Sequence, residues 1–183
     1  MRITGGDLGG RNLEVPKSGE IRPTQDRVRE ALFSILAAVV PGSQVLDLFA
    51  GTGALGIEAL SRGAKSAVFV EQNARHAEIL RRNLATFKLL GEVAVRDAYR
   101  YLETYSGPGF DLVFADPPYA LGAEKGYAQV LSTLKARGAV KPGGIFVAEM
   151  TKVQKAEETP GWELLRDRTY GKTRICIWRN HHA

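Results

Sequence analysis

Asp116-Pro117-Pro118-Tyr119 sets an acid, two residues without a backbone N–H and an aromatic ring in four consecutive positions. Proline holds the chain stiff and removes a donor, so the Asp116 carboxylate and the Pro117 carbonyl stand as acceptors with no competing donor beside them. An aromatic amine has two N–H groups to give and a lone pair spread into its ring. Accepting both hydrogens turns that lone pair toward an electrophile. Asp116 need not remove a proton first, because a neutral aromatic amine is far too weak an acid; the proton becomes labile only once a methyl has arrived. Tyr119 offers a face on which the base stacks, worth roughly 1–3 kcal/mol. These residues therefore read as a reaction site for methylating an exocyclic amino group of a base that is unpaired or flipped out. Taken structurally, the same tetrapeptide is a rigid stop at a strand end.

A second group of residues reads as a nucleotide site. Gly51-Thr52-Gly53-Ala54-Leu55-Gly56 matches G-x-G-x-x-G between a strand and a helix, where glycines allow the turn and the helix N-terminus offers free N–H groups. Glu71 follows Gly51 by 20 residues and ends the next strand, placed to accept both hydrogen bonds of a ribose diol. A dinucleotide dehydrogenase carries the same features. Asp47 separates the two readings: a charge inside an apolar strand needs a reason, and one so near the loop would repel a pyrophosphate. Asp97, after the strand Glu92–Val95, is placed to accept from an adenine amino group, although a plain turn residue needs no ligand.

The elements that must position these residues alternate. Gln44–Phe49, Ser66–Glu71, Glu92–Val95, Asp111–Ala115 and Gly144–Glu149 are short apolar runs and read as buried strands. Helical patterns fill the gaps at Ala54–Arg62, Ala74–Phe87 and within Glu124–Ala136. Such alternation implies an α/β fold with a parallel sheet covered on both faces. Thr24 is placed to cap a further helix whose apolar positions are Val28, Ala31, Leu32, Ile35 and Leu36. Arg2-Ile3-Thr4 and Arg11-Asn12-Leu13 flank a Gly-rich turn and predict a small β-ribbon with a mobile tip. Trp162–Thr169 and Thr173–Arg179 predict a closing antiparallel hairpin, as in class I methyltransferases.

The 183 residues suit one domain, divided here into a ribbon extension at 1–20 and a catalytic domain at 21–183. No apolar run reaches a membrane span and no signal-peptide pattern opens the chain, so a cytoplasmic protein is expected. Cys176 is the single cysteine, which excludes an internal disulfide and a cysteine-based zinc cluster; it reads as a buried thiol, and no metal is expected. The net charge of +5 favours a polyanionic partner. Because no segment is polybasic, a nucleic-acid surface must be assembled by folding.

Arg22-Pro23-Thr24-Gln25-Asp26-Arg27-Val28-Arg29-Glu30-Ala31-Leu32-Phe33, then Leu46 to Ala64, then Asp116-Pro117-Pro118-Tyr119 resemble the RsmD family of bacterial 16S ribosomal RNA guanine-N2 methyltransferases. Arg2-Ile3 with Gly5-Gly6, and Gly10-Arg11 with Leu13, extend the likeness over nearly the whole chain. The resemblance implies a Rossmann-like class I fold with a seven-stranded, mostly parallel sheet, S-adenosylmethionine as methyl donor, and transfer to a guanine N2 of 16S rRNA in the small subunit or its assembly intermediate. By that likeness Arg22 and Thr24 sit by the methionine carboxylate, Asp47 near the ammonium, and Gly51 and Gly53 under the cofactor. Glu71 holds the ribose, and Asp97 with Ala98 the adenine; Phe49, Ala50, Thr52 and Gln72 complete the candidate cofactor set. Arg2, Arg11 and Arg27 are the candidate RNA contacts, and a monomer is expected. Asn180-His181-His182-Ala183 has no counterpart and reads as a solvated tail.

Three other readings compete. A DNA adenine-N6 or cytosine-N4 methyltransferase carries a similar tetrapeptide but usually adds a domain to read base edges, for which 183 residues leave little room. A nicotinamide-dependent oxidoreductase needs a hydride-transfer acid or base, and His76, His181 and His182 lie away from strand ends with a partner. A non-catalytic RNA-binding protein predicts a damaged site, whereas every part is present.

Overall fold

The computed structural model describes residues 1–17, 23–117 and 127–181. Its strands are β1 (Gln44–Leu48), β2 (Ser66–Val70), β3 (Glu92–Ala94), β4 (Phe110–Ala115), β5 (Val140–Met150), β6 (Trp162–Tyr170) and β7 (Thr173–Asn180). The helices among the described residues are α1 (Pro23–Ile35), α2 (Ala54–Ser61), α3 (Ala74–Thr86), α4 (Ala98–Glu103) and α5 (Ala128–Ala136). One sheet holds all seven strands in the order β3-β2-β1-β4-β5-β7-β6. Strands β1 to β5 are mutually parallel, and β7 is antiparallel to both β5 and β6. The chain runs outward from β1 through β2 to β3, then restarts at β4 on β1's other side. That reversal opens a crevice at the strands' carboxyl ends, where open α/β sheets bind ligands.

Side chains alternate across the sheet as the strand period of two requires. Val45, Leu112, Phe114, Ile145, Val147, Ile175 and Ile177 join the core under α1, α2 and α3. Leu46, Leu48, Val113, Ala115, Phe146, Ala148, Cys176 and Trp178 join the core under α4 and α5. Both faces are covered, so continuous apolar runs are what these strands need. Helix α1 buries Val28, Leu32 and Phe33, and the Phe33 ring meets Phe114 at 5.6 Å.

Several elements differ from the sequence-based expectation. Thr24 lies inside the first turn of α1 and not ahead of it, because the helix begins at Pro23; proline's fixed φ suits a first helical position. Helix α4 was not predicted: six residues are too few to show a period, and Asp97 starts it by accepting from Arg100 N at 3.0 Å. Strand β5 starts at Val140, running through Pro142-Gly143-Gly144 with a bulge opposite Phe110–Leu112. Of the expected Glu124–Ala136 helix, residues 124–126 lie outside the described residues.

The ribbon forms, with a bridge between Arg2 and Asn12 and with Ile3 N donating to Arg11 O at 2.9 Å. Its tip, expected to be mobile, is anchored instead. Asp7 N donates to Ser61 O at 2.8 Å, Leu8 N to Ser61 Oγ at 3.0 Å, and Ser61 Oγ to Gly5 O at 2.7 Å. A Cβ on Gly6 would lie 1.9 Å from Ser61 O, so only glycine lets the tip approach α2. Ile3 and Leu13 are buried in the α1–α3 core. Of the expected solvated tail, Asn180 is instead buried at the end of β7, whereas His181 is exposed, with Nε2 2.8 Å from Glu163 Oε2 and its carbonyl accepting from Lys135 Nζ at 2.8 Å. His182 and Ala183 lie outside the described residues.

Candidate active site

A cleft of about 470 Å³ lies over the carboxyl ends of β1, β2, β4 and β5. Phe49, Ala50, Gly51 and Thr52 line it from the loop after β1, Glu71 and Gln72 from the end of β2, Ala98 from α4, and Asp116 and Pro117 from the end of β4. These residues, gathered from four segments of the sequence, share one space. Asp47, Gly53 and Asp97 do not line it. Pro118, Tyr119 and Arg22 lie outside the described residues, as does the side chain of Thr24.

The loop glycines serve different ends. Gly51 sits at φ +57° and a Cβ there would meet nothing within 4 Å, so hydrogen at this position leaves space over the backbone. A Cβ on Gly53 would come 2.3 Å from Leu80 Cδ1, and one on Gly56 2.3 Å from the Phe69 ring. Those two permit close packing of α2 against α3 and β2. Phe49 also adopts a left-handed φ of 57°, unusual for a side chain of that size. The turn sets its ring against Tyr99, edge to face at 5.8 Å.

Glu71 locks the loop from below: its two oxygens accept from Gly51 N at 2.7 Å and Asn73 N at 2.8 Å. Each oxygen keeps a second lone pair for a ribose hydroxyl. Asp47 works from the interior. It is 1% exposed and accepts from Gly56 N at 2.9 Å, tying β1 to the first turn of α2. Burial first, and the nearby Glu71 charge second, push its carboxyl up to about 7 against the opposing Gly56 bond. A folded-state value above the unfolded one means that the folded protein holds this proton more tightly. The stability Asp47 contributes is present below about 3.8 and is lost as pH rises through about 7. The variant Asp47→Asn keeps an oxygen for Gly56 N and loses the titration. Its stability relative to wild type should rise between about pH 4 and about pH 7 in denaturant unfolding; parallel pH profiles would disprove the assignment.

Asp116 and Pro117 follow the end of β4, which pairs with β1 through Leu48 and Ala115, and enter the same cleft as the glycine loop. The residue that sequence reasoning missed is Glu149, half-buried at the end of β5 and also lining the cleft. Its signal was available: a carboxylate closing an otherwise apolar strand, as Glu71 does. Burial, then the Glu149 carboxylate and then Asp47 hold Asp116 well above the usual carboxylate range. Because the Asp116 side chain opens to the cleft, water blunts the first of these and the like charge of Glu149 is the firmer cause. Met1, Gln25, Asn73, His76 and Arg96 complete much of the wall and carried no sequence signal.

Arg2 and Arg27 share a groove of about 610 Å³ beside the ribbon, together with Asp26 and Glu30. Arg11 does not join them; its guanidinium lies 4.8 Å over the Phe87 ring. Among the described residues, no three His, Cys, Asp or Glu side chains are grouped to hold a metal, and no helix is long and apolar enough to cross a membrane. The Cys176 thiol is fully buried and burial pushes it up to about 12, which makes it a packing residue.

This strand order, with a glycine loop after β1, an acid ending β2 and Asp-Pro ending β4, defines a class I methyltransferase. The model of one family, described as Conserved hypothetical protein 95, matches residues 1–179. The chain belongs to that family, the RsmD family that its sequence resembles. It is 36% identical to Ribosomal RNA small subunit methyltransferase D of Haemophilus influenzae, over 98% of this chain and 94% of that protein. The protein of the same name from Escherichia coli K12 is also 36% identical, over 98% of this chain and 89% of its own length. A solved structure of yhhF from Escherichia coli is similar with a TM-score of 0.88 and 32% identity, covering 100% of this chain and 99% of that one.

Proposed function

We propose that the protein transfers a methyl group from S-adenosylmethionine to the N2 amino group of a guanine in 16S rRNA, within the small subunit or its assembly intermediate. The observation that carries this reading is the single cleft in which Asp116 and Pro117 face the Phe49–Thr52 loop and Glu71. The residues present suit the donor. Gly51 leaves its backbone uncovered, Glu71 retains acceptors for a ribose, and Phe49 supplies an apolar wall. The relatives named for small-subunit rRNA support the substrate, and residue types alone do not separate guanine N2 from another aromatic amine.

Bound in the cleft, S-adenosylmethionine supplies an electrophilic methyl group. The chain's own residues supply alignment. Asp116 and the Pro117 carbonyl accept the two amine hydrogens and fix the nitrogen, and the acceptors then stabilise the charge that grows on it. Tritiated S-adenosylmethionine incubated with small subunits, naked rRNA and DNA, followed by nucleoside analysis, tests the reading. Label in N2-methylguanosine is expected; label only in N6-methyladenine or N4-methylcytosine would replace the substrate.

Arg2 and Arg27, exposed on one groove, are the proposed RNA contacts, with Arg11 a more distant one. Replacing both Arg2 and Arg27 with alanine should weaken RNA binding and lower its salt slope by about one per arginine, while cofactor affinity is unchanged. An unaltered slope in binding titrations across salt would remove the groove from the RNA interface. Point substitutions suit this test better than deletion of residues 1–16, which would strip Ile3 and Leu13 from the core.

A further inference from the structure

Asp116 and Glu149 follow directly from a paired position in the sheet. β4 and β5 pair Ala115 with Ala148, so the next residues, Asp116 just past the end of β4 and Glu149 still within β5, stand side by side. Both line the cleft and a smaller adjoining cavity of about 100 Å³. Thr173 lines the smaller cavity with them, and the Glu149 carboxylate stands close enough to Asp116 to raise it by like charge. Two ionised carboxylates so placed repel one another, and one proton held by the pair relieves that repulsion.

The surroundings do not neutralise the pair. Asp47 from β1 and Tyr127 before α5 stand near as further acids. Glu71, His76 and Arg96 line the cleft wall, and Arg29 of α1 faces the adjoining cavity. Arg29 is already engaged by Asp26 at 3.0 Å and Glu58 at 3.5 Å. Among the described residues neither carboxyl forms an ion pair with a lysine or arginine.

We propose that Glu149 is the positioning partner of Asp116: one proton shared by the two carboxyls turns an ionised oxygen of Asp116 toward the target amine and lets the pair take up the proton that N-methylation releases. The inference rests on the reading of the cleft as an amine-methylating site. In the transfer, the amine nitrogen bonds to the methyl carbon while the carbon–sulfur bond breaks and leaves its electron pair on sulfur. The nitrogen then carries a positive charge, and one N–H proton passes to Asp116. The pair goes from one proton to two and loses one to water in the cleft. Burial holds both carboxyls above their usual range, and the Glu149 charge raises Asp116 further, so the pair keeps its first proton.

Glu149→Gln tests this. The amide keeps the shape, donates an N–H to Asp116 in place of the shared proton and removes the like charge. Carboxyl carbon NMR of the free protein, with isotope-labelled aspartate, should show Asp116 ionising at lower pH in the variant. The acid limb of kcat/KM for rRNA should move the same way, so that several-fold more activity survives at low pH. Should the variant be unstable, Thr173→Val removes the hydroxyl that favours the charged form of Glu149 and should shift Asp116 in the same direction by less. An unmoved Asp116 titration overturns the proposal alone, as does a moved titration with an unmoved acid limb. Wild-type protein that methylates no rRNA overturns the reading of the site and this role with it, even where the titration moves.

Discussion

Replacing Asp116 with alanine is expected to lower the rate of methyl transfer by roughly 10²- to 10³-fold at saturating donor, the scale of losing one preorganised polar group at a reacting centre. Donor affinity should stay within a few-fold, because the Phe49–Thr52 loop and Glu71, which would hold the donor, keep their own contacts when Asp116 is truncated. The alanine leaves the Pro117 carbonyl as acceptor and frees one amine hydrogen, so the nitrogen lone pair is no longer turned toward the methyl. It also leaves Glu149 without its carboxyl partner. Single-turnover transfer and calorimetric donor binding separate the two effects. Equal losses in rate and donor affinity would instead place Asp116 in the donor site.

Glu58→Ala should be the most damaging change to stability. Glu58 is fully buried on α2 and gathers three elements. Its two oxygens accept from Thr4 N at 3.0 and 2.9 Å, the Thr4 hydroxyl donates to it, and Arg62 Nε donates at 3.1 Å. Arg29, 5% exposed, lies 3.5 Å away and also donates to the Arg2 carbonyl and to Asp26. Removing the carboxylate leaves the buried Arg29 guanidinium with Asp26 as its only counter-charge among the described residues and strands the Thr4 N–H, at a cost of about 3–5 kcal/mol. In a chain of this length that corresponds to a fall in Tm on the order of 10 °C. Glu58→Gln keeps the volume and one acceptor and should lose less. A thermal melt within a degree or two of wild type would show that the network contributes nothing. Loosening should reach the donor site, since α2 is the helix that the glycine loop opens.

Much of the architecture was legible because its causes are local. An apolar run ended by Gly51 can be little else than a buried strand entering a turn, and the helical period of Ala77, Leu80 and Leu84 needs no partner to be seen. Glu71 and Asp116 stood out as acids closing apolar strands. Helix α4 was too short to show a period. The docked ribbon tip was invisible because its anchor, Ser61, is more than fifty residues away.

Asp116-Pro117, the glycine loop, Glu71 and the alternating apolar strands were determined by the sequence itself, since each depends on residue type and near-neighbour spacing. Only the tertiary structure decided what stands beside them. Strand pairing sets Glu149 next to Asp116, and helix packing brings Arg29, Glu58 and Thr4 into one buried cluster. The register of the sheet turned Asp47 toward the first turn of α2 and kept it from the cleft. Hydrogen bonds and charge coupling act across a few ångströms of space, whatever the distance along the chain, and folding alone sets those distances.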